Sequence, residues 1–117
     1  MIFLIDDDKS ITRAFEILLK SAGYDIKTFE SADEFLLSFK PGHKDLLVLD
    51  LNLPGMSGCE LLKKFRLDGI EIPVVVVTAD NSYHYREFCK EYGVKAYMRK
   101  PTDSEALLDI IRYNLNR

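Results

Sequence analysis

Asp6 and Asp7 directly follow the apolar run Ile2–Ile5, and Asp50 directly follows the apolar run Leu46–Leu49. Like charges brought within a few ångströms either raise one another's pKa or recruit a cation, and clustered carboxylate oxygens suit Mg²⁺, a hard ion that keeps several waters. Thr78 closes the apolar run at residues 74–77, and Lys100 follows Ala96-Tyr97-Met98-Arg99 and precedes Pro101. An aspartate nucleophile, a divalent cation, an ammonium and a hydroxyl donor are the parts that phosphoryl transfer to a carboxylate needs. Taken singly, each residue has a plainer explanation: Asp6 and Asp7 as a solvated turn, Thr78 as a strand end, Lys100 as a solvated lysine. Only their joint placement argues for chemistry. Asp8 is different, because an Asp just before a helix is the usual N-cap.

That placement depends on the elements. Short apolar runs alternate with amphipathic stretches of helical period, the pattern of βα units around a parallel sheet. Residues 2–5, 46–49 and 74–77 are continuously apolar, as strands buried on both faces should be, whereas 25–29 and 95–98 are weaker and belong nearer the edges. Ile11, Ala14, Phe15, Leu18, Leu19 and Ala22 recur at helical spacing before Gly23, a helix-ending glycine. A second helix begins near Ser31, with Ser31 and Glu34 as a capping box and Phe35, Leu36 and Phe39 inward, and ends at Pro41-Gly42. A third runs from about 57 to 67, a fourth from about 82 to 92, and a fifth from Asp103 to the C-terminus. Gly69 and Gly93 stop the third and fourth. Right-handed crossovers then build an α/β three-layer sandwich, a five-stranded parallel sheet of flavodoxin-like order 2-1-3-4-5 with five helices. In that order strands one and three are neighbours, so Asp6, Asp7 and Asp50 meet at the carboxyl edge, where such sheets bind ligands.

The totals agree with one domain spanning residues 1–117: the chain is 47% hydrophobic and 30% charged. A net charge of -3 argues against a nucleic-acid-binding surface. Cys59 and Cys89 lack metal-site or redox-motif spacing and read as free thiols of a reducing cytoplasm. Met1 leads into only four apolar residues and then three aspartates, a start unlike a signal peptide or membrane span. His43 in a polar loop and His84 in the fourth helix have no paired ligand and read as solvent-facing. Tyr83, Tyr85, Phe88 and Tyr92 fit a partner surface or core packing equally well.

Over essentially its whole length the chain resembles the receiver domains of two-component response regulators, of the chemotaxis-regulator type. The resemblance rests on Ile5-Asp6-Asp7, Leu49-Asp50 with Pro54-Gly55-Met56-Ser57-Gly58, Val77-Thr78-Ala79 and Lys100-Pro101, in the family's order and spacing. It implies that Asp50 is the phosphoacceptor and that Asp6, Asp7, Asp50 and the backbone carbonyl of Asn52 hold Mg²⁺ or Mn²⁺. It also implies that Thr78 and Lys100 bind phosphoryl oxygens and that the Lys100-Pro101 bond is cis. Thr78 and Tyr97 become the switch pair: Tyr97 turns inward when Thr78 moves toward a phosphoryl group, changing the surface of the fourth helix, fifth strand and fifth helix. The implied donor is a histidine kinase or histidine phosphotransfer protein, and that same surface is a possible homodimer contact. Any output domain or target stays open, with no nucleic acid or membrane bound by this chain. Asn52 and Asp80 occupy positions that affect phosphoryl lifetime in the family, and the residues alone leave that lifetime open.

Three rivals are weaker. A haloacid-dehalogenase-type phosphatase needs a second acid two residues after its nucleophile, but Asp50-Leu51-Asn52 offers an amide that cannot exchange protons in that role. A flavodoxin-like electron carrier needs a phosphate-binding loop after the first strand, where three aspartates would repel the flavin phosphate. A phosphorylation-independent interaction module predicts a missing site residue, and the expected set is complete.

Overall fold

The computed structural model describes residues 1–40, 42, 44–80 and 82–115. Five strands, β1 (Ile2–Ile5), β2 (Ile26–Phe29), β3 (Leu46–Leu49), β4 (Val74–Thr78) and β5 (Ala96–Arg99), alternate with α1 (Lys9–Ser21), α2 (Ala32–Ser38), α3 (Gly58–Leu67), α4 (Tyr83–Glu91) and α5 (Ser104–Leu115). All strand pairs are parallel and the order is β2-β1-β3-β4-β5, as the alternating pattern predicts. The strand ends differ by one residue from expectation in four places. β2 starts at Ile26 because the Asp25 carbonyl accepts the Ile2 N–H at the sheet's lower edge. β4 continues through Thr78 and β5 spans 96–99, because Thr78 and Arg99 still pair.

Side-chain parity splits the core in two. Ile2, Leu4, Leu46, Val48, Val75 and Val77 pack with Phe15 and Leu19 of α1 and Leu107 and Ile111 of α5. Ile5, Leu47, Leu49, Val74 and Val76 pack on the other face with Phe35 of α2, Leu61, Leu62 and Phe65 of α3 and Cys89 of α4. Each such side chain removed from water contributes about 1.5–3 kcal/mol, which makes β1, β3 and β4 a rigid frame. Phe35 centres an aromatic cluster, stacked on Phe39 at 4.7 Å and edge-on to Phe3 at 5.5 Å. In α1, Ala14 and Ala22 lie exposed rather than inward, since the larger Phe15 and Leu19 fill the interface.

Caps set the helix starts. The Asp8 carboxylate accepts from the Ser10 and Ile11 N–H groups, as expected of an N-cap. Ser31 caps α2, but its capping box is only half formed: the Glu34 carboxylate reaches back to the N–H of Glu30 rather than Ser31. The complete box is at α3, where Ser57 and Glu60 bond each other's backbone N–H. α2 ends at Ser38 with Phe39 as its C-cap, before the expected stop. Pro41, His43 and the last two residues, on which expectations also fell, lie outside the described residues.

Candidate phosphoacceptor site

The register places the acids. Ile5 pairs with Leu49, so Asp6 and Asp50 are the next residues on adjacent strands, and the Asp50 N–H donates to the Ile5 carbonyl at 3.1 Å. On the outer side the Asp6 N–H donates to Phe29 O, also at 3.1 Å. One carboxylate oxygen from each of Asp6, Asp7 and Asp50 lies within 4.8 Å of the others. Asp6 and Asp50 are buried, 2% and 6% exposed, whereas Asp7 faces solvent. Two acids are therefore withdrawn from water and the third keeps an open side.

Lys100 joins them from the far edge of the site. Its ammonium donates to Asp6 Oδ2 at 2.8 Å and to Asp50 Oδ2 at 3.0 Å. The reach follows from the sheet: Thr78 pairs with Arg99, the Lys100 N–H donates to Thr78 O at 2.9 Å, and the Lys100-Pro101 peptide is cis as expected. Burial works against the Lys100 charge, but its hydrogen bonds to the Asp6 and Asp50 carboxylates outweigh it and the ammonium pKa rises. Burial raises the Asp6 pKa, and bonds from Lys100 and from the Asp8 N–H offset part of that rise. Three carboxylates against one ammonium leave two negative charges uncompensated, the charge and oxygen chemistry of a divalent-cation site.

Backbone bonds hold the remaining parts. Asp50 Oδ1 accepts the Asn52 N–H at 3.1 Å, which folds the start of the β3–α3 loop over the Asp50 carboxylate. The loop then turns at Gly55, whose φ of 71° suits a residue without Cβ. A Cβ on Gly58 would lie 2.7 Å from Asp50 O and from Leu51 Cα, so only glycine lets α3 start against the end of β3. This glycine therefore lies in close approach to the end of its own preceding strand. Thr78 is fully buried, and its Oγ1 accepts the Asp80 N–H at 3.3 Å.

Tyr97 is half-buried against the α2–α3–α4 side of the core, and its hydroxyl donates to the Asp80 carbonyl. Tyr97 thus already packs against the core in the unmodified chain. Burial, with the Asp80 carboxylate next in weight, raises the Tyr97 pKa. The undecided aromatics divide. Tyr85, Phe88 and Tyr92 pack on the core, Phe88 and Tyr92 stacked at 4.4 Å, while Tyr83 is 70% exposed. His84 is exposed, and Cys59 and Cys89 are free, Cys89 buried with its thiol pushed up to about 11 by burial.

Several positioning groups escaped sequence reasoning. The Thr12 hydroxyl donates to Asp8 O at 3.0 Å and to Asp6 O at 3.4 Å, bracing the β1–α1 turn. The Met56 N–H donates to Asp33 Oδ2 at 3.4 Å, tying the β3–α3 loop to α2. Arg66 of α3 stacks over Tyr92 at 4.0 Å and donates to Glu91 O at 2.8 Å, clasping the end of α4. The first is a Thr four residues after an N-cap, a recognisable signal; the other two are contacts between distant elements with no local signature.

Comparison with known proteins agrees with this geometry. The profile of the response regulator receiver domain matches residues 2–112. The transcriptional regulatory protein DltR of Streptococcus agalactiae is 32% identical over 111 residues, covering 95% of this chain and 50% of that protein. Response regulator StyR superposes with a TM-score of 0.91 at 36% identity, over 98% of this chain and 58% of that one. The BeF3-activated receiver domain of DrrB gives 0.87 at 29% identity, over 99% and 97% of the two chains. The chain spans about half the length of the curated relatives it matches. With fold and profile in agreement, this chain belongs to the response regulator receiver domain family.

Proposed function

We propose that the chain is a phosphoacceptor switch of a two-component phosphorelay, with Asp50 receiving the phosphoryl group. The observation that carries this reading is the Lys100 ammonium bonded to both Asp6 and Asp50 at the edge where three carboxylates converge. Asp6, Asp7, Asp50 and the carbonyl of Asn52 are the groups that would hold Mg²⁺ or Mn²⁺. Bound there, the cation would neutralise charge on the transferring oxygens.

A carboxylate oxygen of Asp50 attacks phosphorus, forming the P–O bond of an acyl phosphate as the P–N bond of a phosphohistidine breaks. The imidazole leaves with the electron pair and is protonated from solvent. Lys100 can exchange its bond to Asp50 Oδ2 for one to a phosphoryl oxygen without leaving the site, and the Thr78 hydroxyl offers a second donor. Burial of Asp50 restricts access to donors that present phosphorus at the open, Asp7 side. The chain thus catalyses only its own phosphorylation and dephosphorylation, and the product is an altered α4-β5-α5 surface.

The donor is a histidine kinase or histidine phosphotransfer protein, acting in the cytoplasm. Among the described residues no helix is long and apolar enough to cross a membrane. Self-association through α4, β5 and α5 is a further part of the proposal, and light scattering with and without beryllofluoride contradicts it if the mass never changes. The test of the main reading is intact mass after incubation with acetyl phosphate. A labile gain of one phosphoryl group that requires Mg²⁺ and is lost in Asp50→Asn supports it. No gain, with Mg²⁺ shown to bind, makes the chain a phosphorylation-independent interaction module instead.

A further inference from the structure

Among the described residues Asp80 makes three hydrogen bonds with three different groups, and each leads to a different part of the switch. Its N–H donates to Thr78 Oγ1 at 3.3 Å. Its carbonyl accepts the Tyr97 hydroxyl. Its carboxylate Oδ1 accepts the N–H of Ser82 at 2.8 Å, and Ser82 is the N-cap of α4, its own hydroxyl accepting from Tyr85 N–H at 3.2 Å. Arg86, in the first turn of α4, places its guanidinium 4.9 Å from the centre of the Tyr97 ring. One residue therefore ties together the hydroxyl at the end of β4, the tyrosine of β5 and the start of α4.

We propose that Asp80 is a positioning residue whose carboxylate fastens the first turn of α4 to the peptide linking Thr78 and Tyr97, so that α4 follows Thr78 through Asp80. The proposal rests on the phosphoacceptor reading of the site. A carboxylate two residues past the threonine has another possible use, directing or repelling a water at the phosphoryl group. The short bond to Ser82 commits Oδ1 to the helix instead. The first N–H groups of a helix have no partner within it, so a side-chain oxygen that accepts one fixes where the helix starts. Movement of Thr78 toward a phosphoryl oxygen withdraws the acceptor of the Asp80 N–H. The Asp80 peptide then shifts, and Ser82 and the Tyr97 hydroxyl shift with it. The carboxylate is also what keeps the Asp80 carbonyl in reach of Tyr97 before any phosphoryl group arrives.

The test is amide hydrogen exchange at Ser82, Tyr85 and Arg86 in wild type, Asp80→Asn and Asp80→Ala, each with and without beryllofluoride and Mg²⁺. An amide oxygen caps as a carboxylate does, so Asn should match wild type in both states. Ala should exchange about tenfold faster in the unmodified protein, the loss expected when one hydrogen-bond acceptor is removed, and should lose most of the response to beryllofluoride. Tyr97→Phe, which leaves the cap intact, should weaken the same response and supplies a second reading should the Ala variant fold poorly. Exchange in Ala equal to wild type in both states overturns the proposal, as does Asn behaving like Ala, which would make charge rather than capping the relevant property. Phosphoryl uptake by wild type, read from intact mass, separates the two levels: uptake with an unaffected Ala variant removes the relay alone, and no uptake removes the phosphoacceptor reading and the relay with it.

Discussion

At the scale of the residue, the site is an unbalanced set of charges held by one lysine. Asp6 and Asp50 are buried, and Lys100 is the cation bonded to both. Replacing Lys100 with Ala leaves two buried carboxylates facing each other, and the metal-free protein should lose about 3 kcal/mol in urea denaturation, with much of the loss recovered on adding Mg²⁺. A denaturation midpoint unchanged from wild type in metal-free buffer would show that the lysine carries no such burden. The same variant should take up phosphoryl groups from acetyl phosphate roughly 100-fold more slowly, since a preorganised donor is missing from the transferring oxygens. Asp6, Asp7, Asp50, Thr78 and Lys100 could be picked out from sequence because each directly follows or ends an apolar strand. Asp33 and Arg66 could not, because their roles are bonds to backbone groups of distant elements, placed only by the finished fold.

At the scale of the element, the β3–α3 connection sets how the acceptor is presented. Gly58 has no room for a methyl group against Asp50 O and Leu51, all backbone or nearly so. Gly58→Ala should therefore cost about 1–3 kcal/mol and slow phosphoryl uptake together, because the strain can be relieved only by shifting the end of β3. Wild-type stability with wild-type uptake would mean that α3 can slide without moving Asp50. The elements themselves were legible in outline. Strand order, helix count and the caps at Asp8 and Ser57 follow from apolar runs and from turn chemistry, whereas the misplaced box at Ser31 shows the limit of a local motif. The Glu34 carboxylate takes the Glu30 N–H instead of the Ser31 N–H, which the spacing alone does not foretell. The inward Tyr97 could not be read from sequence at all, since it depends on a carbonyl 17 residues away on another connection.

At the scale of the whole molecule, the two core faces couple the chemistry to a packed interior. Cys89 lies in the larger cluster with its thiol pushed from 9.0 up to about 11 by burial. The folded state then holds that proton while the unfolded chain releases it. Stability from this group is complete below pH 9.0 and is lost as pH rises toward about 11, a decline of about 2 kcal/mol that Cys89→Ala should flatten. Urea denaturation at pH 8, 9.5 and 11 checks the slope, and equal slopes in the two proteins would remove Cys89 as its source. Binding of Mg²⁺ should raise stability with its concentration, by about 2.7 kcal/mol at a hundred times the dissociation constant, and Asp7→Asn should remove most of that gain.

The central claim is that Asp50 carries the phosphoryl group, and locating the modified residue tests it most directly. The protein is treated with acetyl phosphate and Mg²⁺, reduced with borohydride to convert an acyl phosphate to the alcohol, digested and sequenced by mass spectrometry. Homoserine is expected at position 50, with Asp6 and Asp7 unmodified. Homoserine at either of those residues, or at none, would contradict it.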